Sequence, residues 1–133
     1  MTKLSVVISA YNEERNIGPC LESVKNVVDE IIVVDNSSTD KTVAVAKKYT
    51  KNIFSQKNNP QTVDLQKNTG FEKATGEWIL SLDADERVTP ELASELKEVI
   101  HQSGVEIVGY WIPRKNIIFG KWIEHTGWYP DYR

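Results

Sequence analysis

The chain has 133 residues, 40% of them apolar, which suits a single domain with one core. Sixteen basic residues against nineteen acidic ones give a net charge of −3, so the overall charge favours neither nucleic acid nor an anionic membrane. A lone cysteine, Cys20, excludes an internal disulfide, and no apolar run approaches the roughly 20 residues of a membrane span. "LSVVISA" lacks the basic flank of a signal peptide, so the expectation is a soluble, cytoplasmic protein.

In chain order, "LSVVIS" (4–9) is a nearly continuous β-branched run, as a fully buried parallel strand reads. Asn16 then caps a helix in which Ile17, Leu21, Val24 and Val28 recur at helical spacing, with Cys20 as a small core residue among them. "EIIVVD" (30–35) is a second buried strand, Asp40 caps a short helix to about Tyr49, and "NIFSQ" (52–56) is a weak strand at the sheet edge. A helix is expected from Thr62 to Ala74, stopped by Gly76, followed by the strand "EWILSLD" (77–83). Thr89 and Pro90 open a helix that buries Leu92, Leu96, Val99 and Ile100 and ends at Gly104. "IVGYWIP" (107–113) reads as a fifth strand. The tail gathers Trp122, Trp128, Tyr129 and Tyr132, aromatic surface that expects a cover.

Strands alternating with helices specify an α/β fold, a mainly parallel sheet with helices on both faces. Ligands of such sheets bind outside the carboxyl ends of the strands, where the strand order reverses. Three polar loops fall at that edge: "SAYNEE", "DNSSTD" and "DADE". If the last is extended, Asp83 and Asp85 lie on one side, roughly 6–7 Å apart. Such hard oxygen donors suit Mg²⁺ or Mn²⁺, which leave other positions to water and phosphate. The bland alternative is a polar turn before a helix N-terminus, where acids are favoured anyway. Asp35 either accepts hydrogen bonds from a base or ribose or faces water, and Tyr11 either stacks on a base or packs at the rim. Neither a P-loop nor a G-x-G-x-x-G fingerprint is present, the two histidines and one cysteine make no zinc pattern, and no G-x-S-x-G elbow occurs. Carboxylates alone repel phosphate, but with a bound cation they anchor it. The residues therefore point to a metal-dependent enzyme acting on a phosphorylated, nucleotide-linked substrate.

"SVVISAYNEERNI", "EIIVVDNSSTDKT", "QKNTGFEKATGEWILSLDADE" and "VTPEL" together resemble, in order and spacing, the family 2 glycosyltransferases with a GT-A (Rossmann-like) fold, over about residues 4–100. The tail "IPRKNIIFGKWIEHTGWYPDYR" is similar to the bacterial branch that adds glucose to lipopolysaccharide or lipooligosaccharide core, a β-1,4-glucosyltransferase-like group. The resemblance implies that Ala10, Tyr11 and Glu13 line the nucleotide pocket, that Asp35 receives the base and that Lys67 lies near the nucleotide. Asp83 and Ala84 would meet the ribose and diphosphate, and Asp85 would hold Mg²⁺ or Mn²⁺. The sequence departs from the family pattern at Asn36, where many members carry a second Asp. By the same resemblance the donor is a UDP-sugar such as UDP-glucose, the acceptor a cell-envelope glycan or glycolipid, and the transfer inverting. Inverting members use a downstream carboxylate as general base. Glu124 and Asp131 are the acids of the tail, and neither sits in a recognisable base motif. Residues 1–133 are accordingly expected to be the nucleotide-sugar-binding part of a longer enzyme, with the acceptor half missing. Contact with the inner face of the cytoplasmic membrane through further segments, and a homo-oligomer, stay open. A different metal-dependent nucleotidyltransferase and a non-catalytic nucleotide-sugar-binding module are the alternatives.

Overall fold

The computed structural model describes residues 3–102, 106–125 and 129–132, with the side chains of residues 63 and 64 left aside. The chain divides into two compact units, Met1–Gln102 and Ser103–Arg133.

The first unit is built on a four-stranded parallel sheet: β1 (Leu4–Ala10), β2 (Glu30–Asp35), β3 (Ile53–Ser55) and β4 (Trp78–Asp83), in the order β3-β2-β1-β4. β1 and β2 are apolar on both faces because both faces are covered. On one face the helix α1 (Ile17–Val24) turns Ile17, Cys20, Leu21 and Val24 inward, all fully buried, and neighbours α2 (Thr42–Ala46). On the other face Val7, Ile32 and Val34 pack with Phe54, Phe71 and Ala74. There α4 (Asn68–Lys73) lies so close to the sheet that a Cβ on Gly70 would stand 2.4 Å from Val7 Cγ1 and 2.9 Å from Val34 Cγ2. Only glycine permits that approach.

Several expected boundaries move. Asn16 does not cap α1 with its side chain; its amide donates to Glu13 Oε2 at 2.8 Å, and the Glu13 carbonyl accepts from the Asn16 and Ile17 amides. α1 stops at Val24, before Val28. Asp40 does accept the Thr42 N–H at 2.9 Å, although regular helix runs only from Thr42 to Ala46. The helix expected over 62–74 forms in two pieces: a 3₁₀ turn (Pro60–Thr62) leads into α3 (Val63–Gln66), and α4 follows after Lys67 alone, whose backbone stays helical (φ −69°, ψ −23°). Gly76 is not the helix stop, because α4 ends at Lys73 with Ala74 as its cap. Gly76 instead lies against the start of β1, where an added Cβ would meet Ser5 N at 2.7 Å.

The helix α5 (Pro90–Gln102) begins as expected, with Thr89 Oγ1 accepting the Leu92 N–H at 3.2 Å and Pro90 in the first turn. Of its four apolar positions only Ile100 is buried; Leu92, Leu96 and Val99 are half-buried. The expected stop at Gly104 lies outside the described residues.

The second unit contains no long strand among its described residues. The run 107–113 is irregular up to β5 (Pro113–Arg114), with Val108 97% and Trp111 78% exposed. An apolar β-branched run becomes a strand only where a neighbour supplies its ladder. The pairs that do form are short and antiparallel. β6 (Ile117–Ile118) pairs with β7 (Lys121–Trp122), and β5 pairs with β8 (Asp131–Tyr132). Phe119 and Gly120 both have positive φ, as a two-residue hairpin turn of this kind requires. Of the tail aromatics, Trp122 and Tyr129 meet edge to face at 5.2 Å, and Trp122, Tyr129 and Tyr132 all stay partly exposed. Trp128 lies outside the described residues.

Candidate functional site

Strand order reverses at β1, which leads to β2 and β3 on one side while β4 lies on the other. The carboxyl ends of these strands carry Ala10, Asp35, Ser55 and Asp83. Ala10 is in register with Asp35, Asp35 with Ser55, and Ser9 with Asp83. Successive residues of a strand face opposite ways, so Asp35 and Asp83 leave the sheet on opposite faces. A ligand touching both must lie across the edge.

On the Asp35 side, the loops after β1 and β2 interlock. Asn12 (φ 54°) and Ser37 (φ 63°) take left-handed conformations. Asn12 Oδ1 accepts the Thr39 N–H at 2.8 Å, Ser38 Oγ accepts the Asn12 N–H at 2.9 Å, and Thr42 Oγ1 accepts the Glu13 N–H at 2.7 Å. Asp35 is buried and accepts from the Ser38 N–H at 3.2 Å and, more weakly, from Ser55 Oγ at 3.4 Å. The Glu13 carboxylate is engaged by Asn16, whereas Tyr11 is 47% exposed at the mouth of the edge. Ala10 is buried, and its carbonyl accepts from both the backbone and the side-chain amide of Asn36.

On the Asp83 side, the geometry differs from the extended "DADE" expected. β4 ends at Asp83 and the chain turns at Ala84 and Asp85. The Asp83 carbonyl accepts the Glu86 N–H at 3.0 Å, and the Glu86 carboxylate accepts the Asp83 N–H at 2.8 Å. Glu86 therefore closes the turn. The spacing rule for extended chain does not apply to Asp83 and Asp85, because the backbone between them is no longer extended.

Asp83 has a partner that its neighbours in sequence do not reveal. The Lys67 ammonium sits 2.6 Å from Asp83 Oδ1, and Lys67 is itself 8% exposed. Burying a lysine costs several kcal/mol unless a carboxylate faces it, so each charge explains the other. The cation that relieves the acidic turn is thus partly built into the chain. Ala84 is buried, its carbonyl accepting from Arg87 Nη1 at 3.1 Å. Beneath the turn, the Cys20 thiol donates to the Asp83 carbonyl at 3.6 Å, and burial pushes its pKa up to about 12. Cys20 is a core residue and no nucleophile.

Asp85 is left exposed, with no hydrogen bond or ion pair to its carboxylate among the described residues. Among those residues no group of three or more His, Cys, Asp or Glu side chains could hold a metal ion. One open carboxylate is nevertheless a fitting donor for Mg²⁺ or Mn²⁺, which commonly take one or two protein oxygens and fill the rest with water and phosphate. Such a site is completed by its ligand. In the second unit, Asp131 is engaged by Arg114 and by Asn116 Nδ2, while Glu124 is exposed.

Sequence reasoning passed over Asn12, Thr42 and Gln56, which shape the loops. The one available signal was Asn12, a residue that tolerates positive φ, placed two residues after the end of β1.

An open parallel sheet with polar loops at its reversal point and acids at two strand ends defines an α/β, Rossmann-like architecture, in which ligands bind at that edge. Residues 5–133 match the model of glycosyl transferase family 2, and the chain belongs to that family. It is 38% identical over 100 residues to an uncharacterized glycosyltransferase of Rickettsia typhi, covering 74% of this chain and 33% of the relative. It is 33% identical over 120 residues to the lipopolysaccharide core biosynthesis glycosyltransferase LpsC of Rhizobium meliloti, covering 88% of this chain and 44% of LpsC. Its fold superposes on the crystal structure of S. aureus TarS 1–349 with a TM-score of 0.65, at 25% identity, over 86% of this chain and 39% of that one. It also resembles M. tuberculosis glucosyl-3-phosphoglycerate synthase in complex with Mn²⁺ and UDP-glucose, with a TM-score of 0.55 at 26% identity, over 63% of this chain and 33% of that one. The chain spans about a third of the length of the first relatives it matches. Among the described residues no helix is long and apolar enough to cross a membrane.

Proposed function

We propose that the first unit binds a UDP-sugar as donor at the carboxyl edge of the sheet, and that the whole protein transfers the sugar, glucose by family resemblance, to a cell-envelope glycan such as lipopolysaccharide core. The observation that carries this reading is the open Asp85 carboxylate beside the Lys67–Asp83 pair, at the point where strand order reverses. Asp35 would accept from the base, Tyr11 would offer a ring for it to stack on, and Lys67 would face the diphosphate. Asp85 would hold Mg²⁺ or Mn²⁺. A bound ion would stabilise the charge that gathers on the diphosphate as the sugar leaves. The chain's own part is to hold the nucleotide across the edge with its diphosphate over β4. The likeness to LpsC supports the acceptor class, and the likeness to a synthase solved with UDP-glucose supports the donor class.

Thermal shifts across a panel of nucleotide sugars, each with and without Mn²⁺, test the reading. A ligand that binds only the native state adds about 2.7 kcal/mol at a hundred times its Kd. The expected outcome is a shift with UDP-sugars that needs Mn²⁺. No shift with any nucleotide sugar, or equal shifts without metal, would contradict it.

A further inference from the structure

The junction of α3 and α4 falls at Lys67, the residue whose ammonium meets Asp83, and its backbone stays helical there (φ −69°, ψ −23°). The residues flanking Lys67 are gripped from outside by one side chain, Gln56, just past β3. Gln56 Nε2 donates to the Gln66 carbonyl at 2.9 Å and to Asn36 Oδ1 at 2.8 Å, and Gln56 Oε1 accepts from Thr69 Oγ1 at 2.6 Å. Its backbone is fixed in turn: the Gln56 N–H donates to the Asp35 carbonyl at 2.9 Å, and its carbonyl accepts from Ser37 Oγ at 2.8 Å.

The polarity of this chain of bonds is determined. The Ala10 carbonyl can only accept, so the Asn36 amide nitrogen must face it, at 3.2 Å. Asn36 Oδ1 therefore points at Gln56 and needs a donor. The Gln66 carbonyl needs a second. A side chain that gives two N–H groups and accepts a hydroxyl is an amide, so neither glutamate nor a hydrocarbon can replace Gln56 here. Asn36 and Gln66 are buried, which makes each of these bonds expensive to lose.

We propose that Gln56 is a positioning residue: by holding Gln66 and Thr69 on either side of Lys67, it sets the Lys67 ammonium against Asp83 and fixes the charge that a nucleoside diphosphate meets. The inference rests on the donor-binding reading, but the geometry it invokes exists without ligand. Gln56 acts through Lys67 and touches no reacting atom.

Two measurements on the whole chain test it. The first needs no nucleotide: ¹⁵N NMR relaxation of the Lys67 ammonium in wild type, Gln56→Met and Thr69→Val. The ammonium should be rigid in the wild type, mobile in Gln56→Met and intermediate in Thr69→Val, which removes one bond and serves if Gln56→Met fails to fold. An ammonium equally rigid in the folded variants would overturn the proposal. The second is calorimetry of uridine and UDP with Mn²⁺. The preference for UDP over uridine should fall about tenfold in Gln56→Met, with uridine itself unaffected, as expected for one misplaced charged donor. Lys67→Met should lose as much, and the double variant no more than either. Additive losses, or equal losses for uridine and UDP, would mark Gln56 as merely structural and overturn the proposal. If the wild type binds no UDP, the donor-binding reading fails, and the ammonium measurement still decides on Gln56.

Discussion

The two edges of the four-stranded sheet both carry acids at strand ends, yet they use them differently. At the amino edge, Asp29 accepts the Leu4 N–H at 2.8 Å, and Glu30 accepts from Ser5 Oγ and, at 2.8 Å, from the Thr75 N–H. Ser5 Oγ in turn accepts the Gly76 N–H at 2.9 Å. These acids close loops onto the sheet. At the carboxyl edge, Asp85 stays open, Tyr11 stays exposed, and Asn12 and Ser37 hold left-handed backbone. A concavity of about 580 Å³, lined by Lys3, Asp29, Glu30 and Tyr49 among others, lies at the amino edge. The polar groups left open lie instead at the reversal point.

The sharpest way to break the comparison is to damage the amino edge alone. Gly76→Ala places a Cβ 2.6 Å from Ser5 Oγ and 2.7 Å from Ser5 N. Backbone cannot yield there, so chemical denaturation should show a loss of about 1–3 kcal/mol. UDP affinity of the folded protein should not change. A large affinity loss at full stability would mean that the edges are coupled and the contrast is false.

The converse experiment is Asp35→Ala at the carboxyl edge. UDP binding should weaken by about 1–3 kcal/mol, the usual cost of removing a buried polar partner. The loss should be greatest for the preferred base, so selectivity between nucleotides should narrow. Asp35 also receives the Ser38 N–H, so a uniform loss across bases with a lower melting temperature would instead assign it to the loop.

Glu30 offers a smaller, pH-dependent contrast. Burial pushes its carboxyl up, but the Ser5 hydroxyl and Thr75 outweigh that and hold it below its ordinary 4.5. A lowered folded pKa means that the ionised form stabilises the fold. That stability is present above about pH 4.5 and is lost as pH falls through the lower folded value. Glu30→Gln should thus be less stable than wild type by about 1 kcal/mol at pH 7, with the gap closing below pH 4.5. A gap independent of pH would show that the charge on Glu30 is irrelevant.

Much of this was legible from residues alone, and the failures share a cause. β1 and β2 could be read because buried parallel strands are continuous apolar runs, and α5 because Thr89 and Pro90 form a local start signal. The division of 62–74 into α3 and α4 at Lys67 could not, since no proline or glycine stands at that junction. Nor could the fate of 107–113, whose apolar pattern asks for a partner strand that pattern cannot supply. At the site, spacing placed Asp83, Ala84 and Asp85 at the ligand edge, but it treated the turn as extended. Spacing also hid the Lys67–Asp83 pair, which spans sixteen positions and is a product of the fold. Local rules read local structure, and the charge balance of the site is not local.

The proposed donor site stands or falls with the open carboxylate of Asp85 and its coupling of nucleotide diphosphate to a divalent ion. Calorimetry of UDP with Mn²⁺ and with EDTA, on wild type and Asp85→Ala, addresses it directly. Wild type should bind UDP at least tenfold more tightly with Mn²⁺, a difference of about 1.4 kcal/mol, and Asp85→Ala should bind equally weakly in both conditions. Equal UDP affinity of the wild type with Mn²⁺ and with EDTA, or an Mn²⁺ enhancement that survives in Asp85→Ala, would contradict it.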